Sequence, residues 1–207
     1  MLKDTDRVVF FGDSITERGD LPGGYVSLIR EKLSANLGSH GPRVFNAGIS
    51  GNKVTDLIAR LDRDVISKKS TLVLIYIGIN DVWHFTLPGH SGTDEETYGR
   101  GLTEIISTLK AAGARVILCT PTVIGEKRYG SNPQDLLLDE YAEISRNVAR
   151  ENGIGLCDLH KKFLSYLVDH NPENRAGGIL TVDGVHLNPA GNSLVADIIL
   201  DFLENEI

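Results

Sequence analysis

Several features that would assign a function at once are missing from this chain. Cysteine is scarce: of 207 residues only Cys119 and Cys157 carry thiols, and each closes an apolar stretch, the setting of a buried thiol rather than of a disulfide or a metal pair. No group of Cys or His has metal-ligand spacing, so neither a metal nor a cofactor is expected. No apolar run approaches the roughly 20 residues of a membrane-spanning helix. The N-terminal Met1-Leu2-Lys3-Asp4-Thr5-Asp6 is polar and lacks the apolar core of a secretory leader, which points to a cytoplasmic protein. A basic surplus is lacking too. The formal net charge of −7 argues against a nucleic-acid partner, which needs a cationic patch to meet phosphates. Neither Gly-x-Gly-x-x-Gly nor Gly-x-x-x-x-Gly-Lys-Ser/Thr occurs after the first apolar run, so the common nucleotide loops are absent. The Gly-x-Ser-x-Gly elbow of α/β-hydrolases is absent as well.

What is present is ordinary globular material, 41% apolar and 24% charged, with strands alternating with helices. Val8-Val9-Phe10-Phe11 is a short apolar run stopped by Gly12, the pattern of a buried strand. Tyr25, Leu28, Ile29, Leu33 and Leu37 recur at helical spacing until Gly38–Pro42 breaks the helix. Arg43–Asn46 reads as a second strand, followed by a helix through Val54, Leu57, Ile58, Leu61 and Val65. Thr71–Ile77 is the strongest strand, continuous and apolar as a strand covered on both faces should be. A helix with Leu102, Ile105, Ile106 and Leu109 on one side stops at Gly113. Arg115–Cys119 and the short Ile154–Cys157 are the fourth and fifth strands. Between them lies a helix bearing Leu137, Tyr141, Ile144 and Val148, and a helix through Phe163 and Val168 comes next. The last helix is punctuated by Asn188 as cap and Pro189 in the first turn. This alternation implies a parallel sheet with helices on both faces. No linker or internal repeat interrupts it, so residues 1–207 read as one domain.

Ser14 follows the first strand directly, and ligands in open α/β sheets bind at the carboxyl ends of strands. Asp and Ser also favour turns and helix caps, so the tripeptide Gly12-Asp13-Ser14 alone does not make a nucleophile. A serine hydroxyl needs a base, usually a histidine held by a carboxylate, and Asp183 and His186 stand three residues apart just before the last helix. His40 is expected in a loop at the far end of the sheet, His160 and His170 at the flanks of a surface helix, and His90 in a polar loop. Acyl transfer also needs donors for the oxyanion. The backbone N–H groups of Ser14 and Gly51 and the side chain of Asn80 each follow a strand and can supply them.

Taken together, Gly-Asp-Ser after the first strand, Asn46-x-x-x-Ser50-Gly51-Asn52 after the second, Gly78-x-Asn80-Asp81 after the third and Asp183-x-x-His186 before the last helix make a specific set. On it the chain resembles the GDSL esterase/lipase family, the SGNH hydrolases, over residues 8–203. The resemblance implies a flavodoxin-like three-layer α/β/α sandwich with a central five-stranded parallel sheet, and hydrolysis of esters or thioesters. It carries over Ser14 as nucleophile, Asp183 and His186 as the other triad members, and Ser14, Gly51 and Asn80 as the oxyanion hole. Ile15 stands where the family name has Leu. Gly48 competes with Gly51, which is preferred because Ser50 and Asn52 flank it.

A small-molecule ester is therefore the expected partner; the oligomeric state has no signature in the sequence. Asp13, Trp83 and His84 are the expected substrate contacts. The loops 84–93, 125–132 and 170–175 are polar and Gly-rich, with isolated aromatics at Trp83, Phe85 and Tyr129 beside Lys127 and Arg128. They lack the continuous apolar lining a long acyl chain would need, so a short-acyl esterase, with a sugar as one alcohol, is the expectation. The alternatives are a lysophospholipase or thioesterase of the same family, a member that binds glycan without catalysis, and a non-catalytic flavodoxin-like binding module.

Overall fold

The apolar runs do become strands, and their register explains where the chemistry collects. In this computed structural model, which describes residues 2–37 and 41–205, five strands form one parallel sheet: β1 Arg7–Gly12, β2 Arg43–Gly48, β3 Leu72–Tyr76, β4 Arg115–Cys119 and β5 Gly155–Cys157, in the order β2-β1-β3-β4-β5. His40 and the predicted helix stop at Gly38 lie outside the described residues. All five residues of β3 are buried, because helices cover both its faces. β2 is an edge strand and stays half-buried.

Parallel neighbours need crossovers, and right-handed crossovers that run in opposite directions along the sheet place their helices on opposite faces. Helix α2 (Tyr25–Leu37) leads from β1 outward to β2, whereas α3 (Val54–Asp64) leads back across β1 to β3. Accordingly α2 packs on the C-terminal α8 (Pro189–Asn205), while α3 packs on α5 (Glu95–Ala111), and α5 on α6 (Asp135–Asn152). The result is a three-layer α/β/α sandwich. A continuous core joins Val8 to Phe11 and Leu72 to Ile77 with Tyr25, Ile29, Leu57, Ile105, Tyr141 and Ile199. The reversal of direction at β1 and β3 is the switch point, where a crevice opens outside the strand ends.

Two elements differ from the sequence reading. A short helix α1 (Ser14–Gly19) and another, α4 (Ile79–Trp83), stand where the sequence pattern marks no element. Each is too short to show a helical period. Asp13 Oδ1 caps α1 by accepting from Ile15 N at 2.9 Å. Gly78, at φ +125°, lets the chain swing from β3 into α4, a conformation strained for any residue with a Cβ. His160, expected on a surface, is 2% exposed. It opens α7 (Leu159–His170), and its Nδ1 lies 2.5 Å from the Thr122 carbonyl; helix period alone does not reveal that the first turn of α7 tucks under the loop after β4. Cys119 and Cys157 are both free and buried. No helix among the described residues is long and apolar enough to cross a membrane.

Candidate active site

Ser14 is delivered to the crevice by a tight strand-to-helix turn. Gly12 ends β1 where a Cβ would lie 2.3 Å from the Tyr76 carbonyl oxygen and 2.4 Å from Thr16 Oγ1, so only glycine fits there. Asp13 then caps, and Ser14 is the first residue of α1. Its N–H is one of the first-turn donors that no intrahelical carbonyl can satisfy. The Asp13 carboxyl is 2% exposed. Burial pushes its pKa up to about 7, with the Asp81 carboxyl adding to the rise and the Ile15 N–H and Arg60 opposing it.

The segment before α8 brings the base. Ser14 Oγ and His186 Nε2 are 3.0 Å apart, and His186 Nδ1 is 2.7 Å from Asp183 Oδ2. Asp183 Oδ1 also accepts from the backbone N–H groups of Val185 (3.0 Å) and His186 (2.8 Å). Burial works to raise the Asp183 pKa, but the His186 ring and those N–H groups outweigh it and hold the carboxyl below its ordinary value. An ionised carboxylate only accepts, so the Nδ1 proton faces Asp183 and Nε2 is left as the acceptor for the serine hydroxyl. That is the arrangement in which an imidazole can take the serine proton.

The Asp183–His186 segment is itself anchored by a residue the sequence reading left among the polar loops. Glu126 is fully buried. Its Oε2 accepts from Ile179 N at 2.7 Å, and its Oε1 from Leu180 N and Thr181 N, both at 2.6 Å, and from Thr181 Oγ1 at 2.8 Å. Thr181 Oγ1 in turn accepts from Gly184 N at 3.0 Å. Gly125 N donates to the Gly184 carbonyl at 2.8 Å. The loop after β4 thus holds the loop that carries Asp183. Nothing in the periodicity marks Glu126; a glutamate between Gly125 and Lys127 looks solvated.

Further N–H groups lie on the segments that follow β2 and β3. Gly51 sits at φ +78°, with open space where a Cβ would be, and its N–H has no acceptor among the described residues. Gly48 is differently engaged: its N–H donates to Asn46 Oδ1 at 2.8 Å, and a Cβ there would meet Glu17 N at 2.1 Å. The loop bearing Gly51 is clasped from α1, since Ser50 N and Oγ both donate to Glu17 Oε2. Asn80, 3% exposed on α4, donates one amide N–H to the Asn52 carbonyl at 3.0 Å. Its neighbour Asp81 is fully buried and accepts from Val54 N at 3.1 Å, tying α4 to the start of α3. Burial drives the Asp81 carboxyl up to about 6 against the hydrogen bonds it accepts.

Of the other expected contacts, Trp83 stands edge-on to His186, with ring centroids 6.1 Å apart and planes at 72°. His84 instead packs its ring on His90 at 4.7 Å, and burial, His90 and Lys53 hold its pKa below the ordinary histidine value. Trp83 and Asp183 open onto a cleft of about 240 Å³ that Lys127, Ser131, Asn132 and Ala176 also line. Phe85 and Tyr129 are half-exposed, at 51% and 49%.

Ser14, His186 and Asp183 thus form one hydrogen-bonded line at the carboxyl edge of a parallel sheet in an α/β/α sandwich, and known proteins show the class such a chain belongs to. Residues 10–194 match the GDSL-like Lipase/Acylhydrolase family. The chain is similar to an acetylxylan esterase of Geobacillus stearothermophilus, at 33% identity over 92% of this chain and 90% of that protein. It is also similar to the rat (Rattus norvegicus) isoamyl acetate-hydrolyzing esterase 1 homolog, at 29% identity over 91% of this chain and 78% of that protein. The crystal structure of the acetyl xylan esterase AlAXEase superposes with a TM-score of 0.91 at 43% identity, covering 94% of this chain and 98% of that one. The chain belongs to the GDSL-like Lipase/Acylhydrolase family and is a carboxylic ester hydrolase.

Proposed function

We propose that the chain, acting as one domain, removes acetyl groups from acetylated carbohydrates through an acyl-enzyme formed on Ser14. The observation that carries this is the unbroken chain from Ser14 Oγ to His186 to Asp183, at 3.0 and 2.7 Å, beside the small cleft that Trp83 and Asp183 line. In this reading His186 Nε2 takes the hydroxyl proton as Ser14 Oγ attacks the ester carbonyl. Asp183 stabilises the imidazolium that results and keeps its tautomer. The tetrahedral oxyanion receives N–H groups from Ser14, Gly51 and the free proton of the Asn80 amide. His186 then returns its proton to the leaving alcohol, and water repeats the sequence to release acetate.

The acyl group is small because the cleft beside the triad holds only about 240 Å³, too little to bury a long chain, and each CH₂ left in water forgoes about 0.8 kcal/mol. The alcohol is read as a sugar because the cleft beside Asp183 sets apolar faces, the indole of Trp83 with Ile124, Pro133 and Val185, beside the hydrogen-bonding Lys127, Ser131 and Asn132, a mixture suited to a sugar ring. The acetyl esters in the relatives' names support the same choice. Trp83 is assigned to substrate. Asp13, capped into the turn and buried, is assigned to holding Ser14 rather than to touching the sugar; His84, buried with its ring tilted against His90, is given no part in binding.

The test is a p-nitrophenyl ester series beside acetylated xylo-oligosaccharides. kcat/KM peaks between acetate and butyrate and acetate is released from the sugars. A peak at octanoate or beyond overturns the short-acyl reading and favours a lysophospholipase or thioesterase.

A further inference from the structure

Among the described residues one Lys or Arg is buried, and it holds the turn that meets Asn80. Arg60, on α3, is 6% exposed, and a guanidinium is not buried without a full set of acceptors. Its Nε donates to Asn52 Oδ1 at 2.6 Å, and its Nη2 to the Gly12 carbonyl at 2.7 Å. Its Nη1 donates to the Ala47 carbonyl at 2.8 Å and to Asp64 Oδ2 at 3.0 Å. The plane stands over the Phe11 ring, 4.6 Å from its centroid. One side chain therefore joins the last residue of β1, the end of β2 and the turn after β2.

The bond to Asn52 has a consequence at the site. The Asn52 side chain is held by Arg60, and the Asn52 carbonyl is the acceptor that orients the Asn80 amide. With one N–H committed to that carbonyl, the other is aimed by default. Only a rigid fork does this: Nε and the two Nη groups reach Asn52, Ala47 and Gly12 in a single plane, which a lysine ammonium cannot reproduce.

We propose that Arg60 is the positioning residue of the oxyanion hole, acting through Asn52 on the Asn80 amide. The proposal rests on the reading of Asn80 as an oxyanion donor. A donor misaimed in the transition state lowers kcat and leaves ground-state binding alone.

The test is a double-mutant cycle of Arg60→Lys and Asn80→Ala on p-nitrophenyl acetate, with kcat expressed per active site titrated by a fluorophosphonate. Arg60→Lys lowers kcat on the order of tenfold to a hundredfold with KM within about twofold. In the Asn80→Ala background the same substitution costs less than about twofold, because the group it positions is gone. Asn52→Ala, which keeps Arg60 and its carbonyl partners, reproduces the loss and serves where Arg60→Lys does not fold. An Arg60→Lys or Asn52→Ala enzyme with unchanged kcat per site, or a full loss repeated in the Asn80→Ala background, overturns the proposal. Unchanged kcat in Asn80→Ala alone would instead overturn the oxyanion assignment beneath it.

Discussion

Glu126 offers the sharpest link between the packing and the chemistry. Replacing it with Gln changes one atom at one of its two oxygen positions. The amide oxygen can keep the Oε1 partners, Leu180 N, Thr181 N and Thr181 Oγ1, but the amide nitrogen then faces Ile179 N, donor against donor. That forfeits one charge-assisted bond, about 1.5–3 kcal/mol. Glu126→Ala removes all four and leaves the N–H groups of Ile179, half-buried, and of Leu180 and Thr181, buried, without their acceptor, at about 1–3 kcal/mol each before water enters. For a chain of 207 residues each kcal/mol moves Tm by roughly 2–4 °C. Glu126→Gln should therefore melt roughly 5 °C below the parent, and Glu126→Ala roughly 10 °C or more below it. Both should lose kcat per titrated site, on the order of tenfold, because Thr181 passes the anchor on to Gly184, next to Asp183. Differential scanning calorimetry and active-site titration measure the two effects separately. Melting of both variants within about 2 °C of the parent would refute the reasoning, as would Gln proving the worse of the two.

Two further outcomes follow from the site. Asp13 has a folded-state pKa of about 7 against an ordinary 3.8, so between those values the folded state holds a proton that the unfolded state has released, and stability falls as pH rises through this window; Asp13→Asn, which can still accept from Ile15 N, should gain more Tm over the parent at pH 8 than at pH 5, and a gain independent of pH would contradict the assignment. Asn80→Ala should lower kcat on the order of 10²–10³ with little change in KM, as loss of one oxyanion donor does, whereas a pure KM effect would make Asn80 a ground-state contact.

The strands and long helices are legible in the sequence because their burial is periodic: β3 is apolar at every position and the covered faces of α5 and α6 repeat at helical spacing. The site is legible for a different reason. Ser14 follows β1, and Gly51 and Asn80 follow β2 and β3, its two neighbours in the sheet, so the strand order puts all three at the same edge; the Asp183–His186 pair reaches Ser14 from the segment before α8, and the oxyanion roles of Gly51 and Asn80 belong to the proposal. What is not legible depends on contacts between distant loops. Glu126 meets residues 179–181, and Arg60 meets the ends of two strands; locally both look like solvated charges. Likewise α1 and α4 escape notice because a cap and a positive-φ glycine, rather than a hydrophobic period, start them. The burial of His160 comes from the docking of α7 on the Thr122 loop, which no pattern within α7 reports.

Everything proposed for the reaction depends on Ser14 as the nucleophile and His186 as its base. The most direct test is peptide mapping by mass spectrometry after reaction with a fluorophosphonate, on the parent enzyme and on His186→Ala. One adduct per chain is expected, on Ser14, formed in step with loss of esterase activity, with labelling slowed by orders of magnitude in His186→Ala. An adduct on a different residue, or full activity persisting in a Ser14→Ala variant, would contradict it.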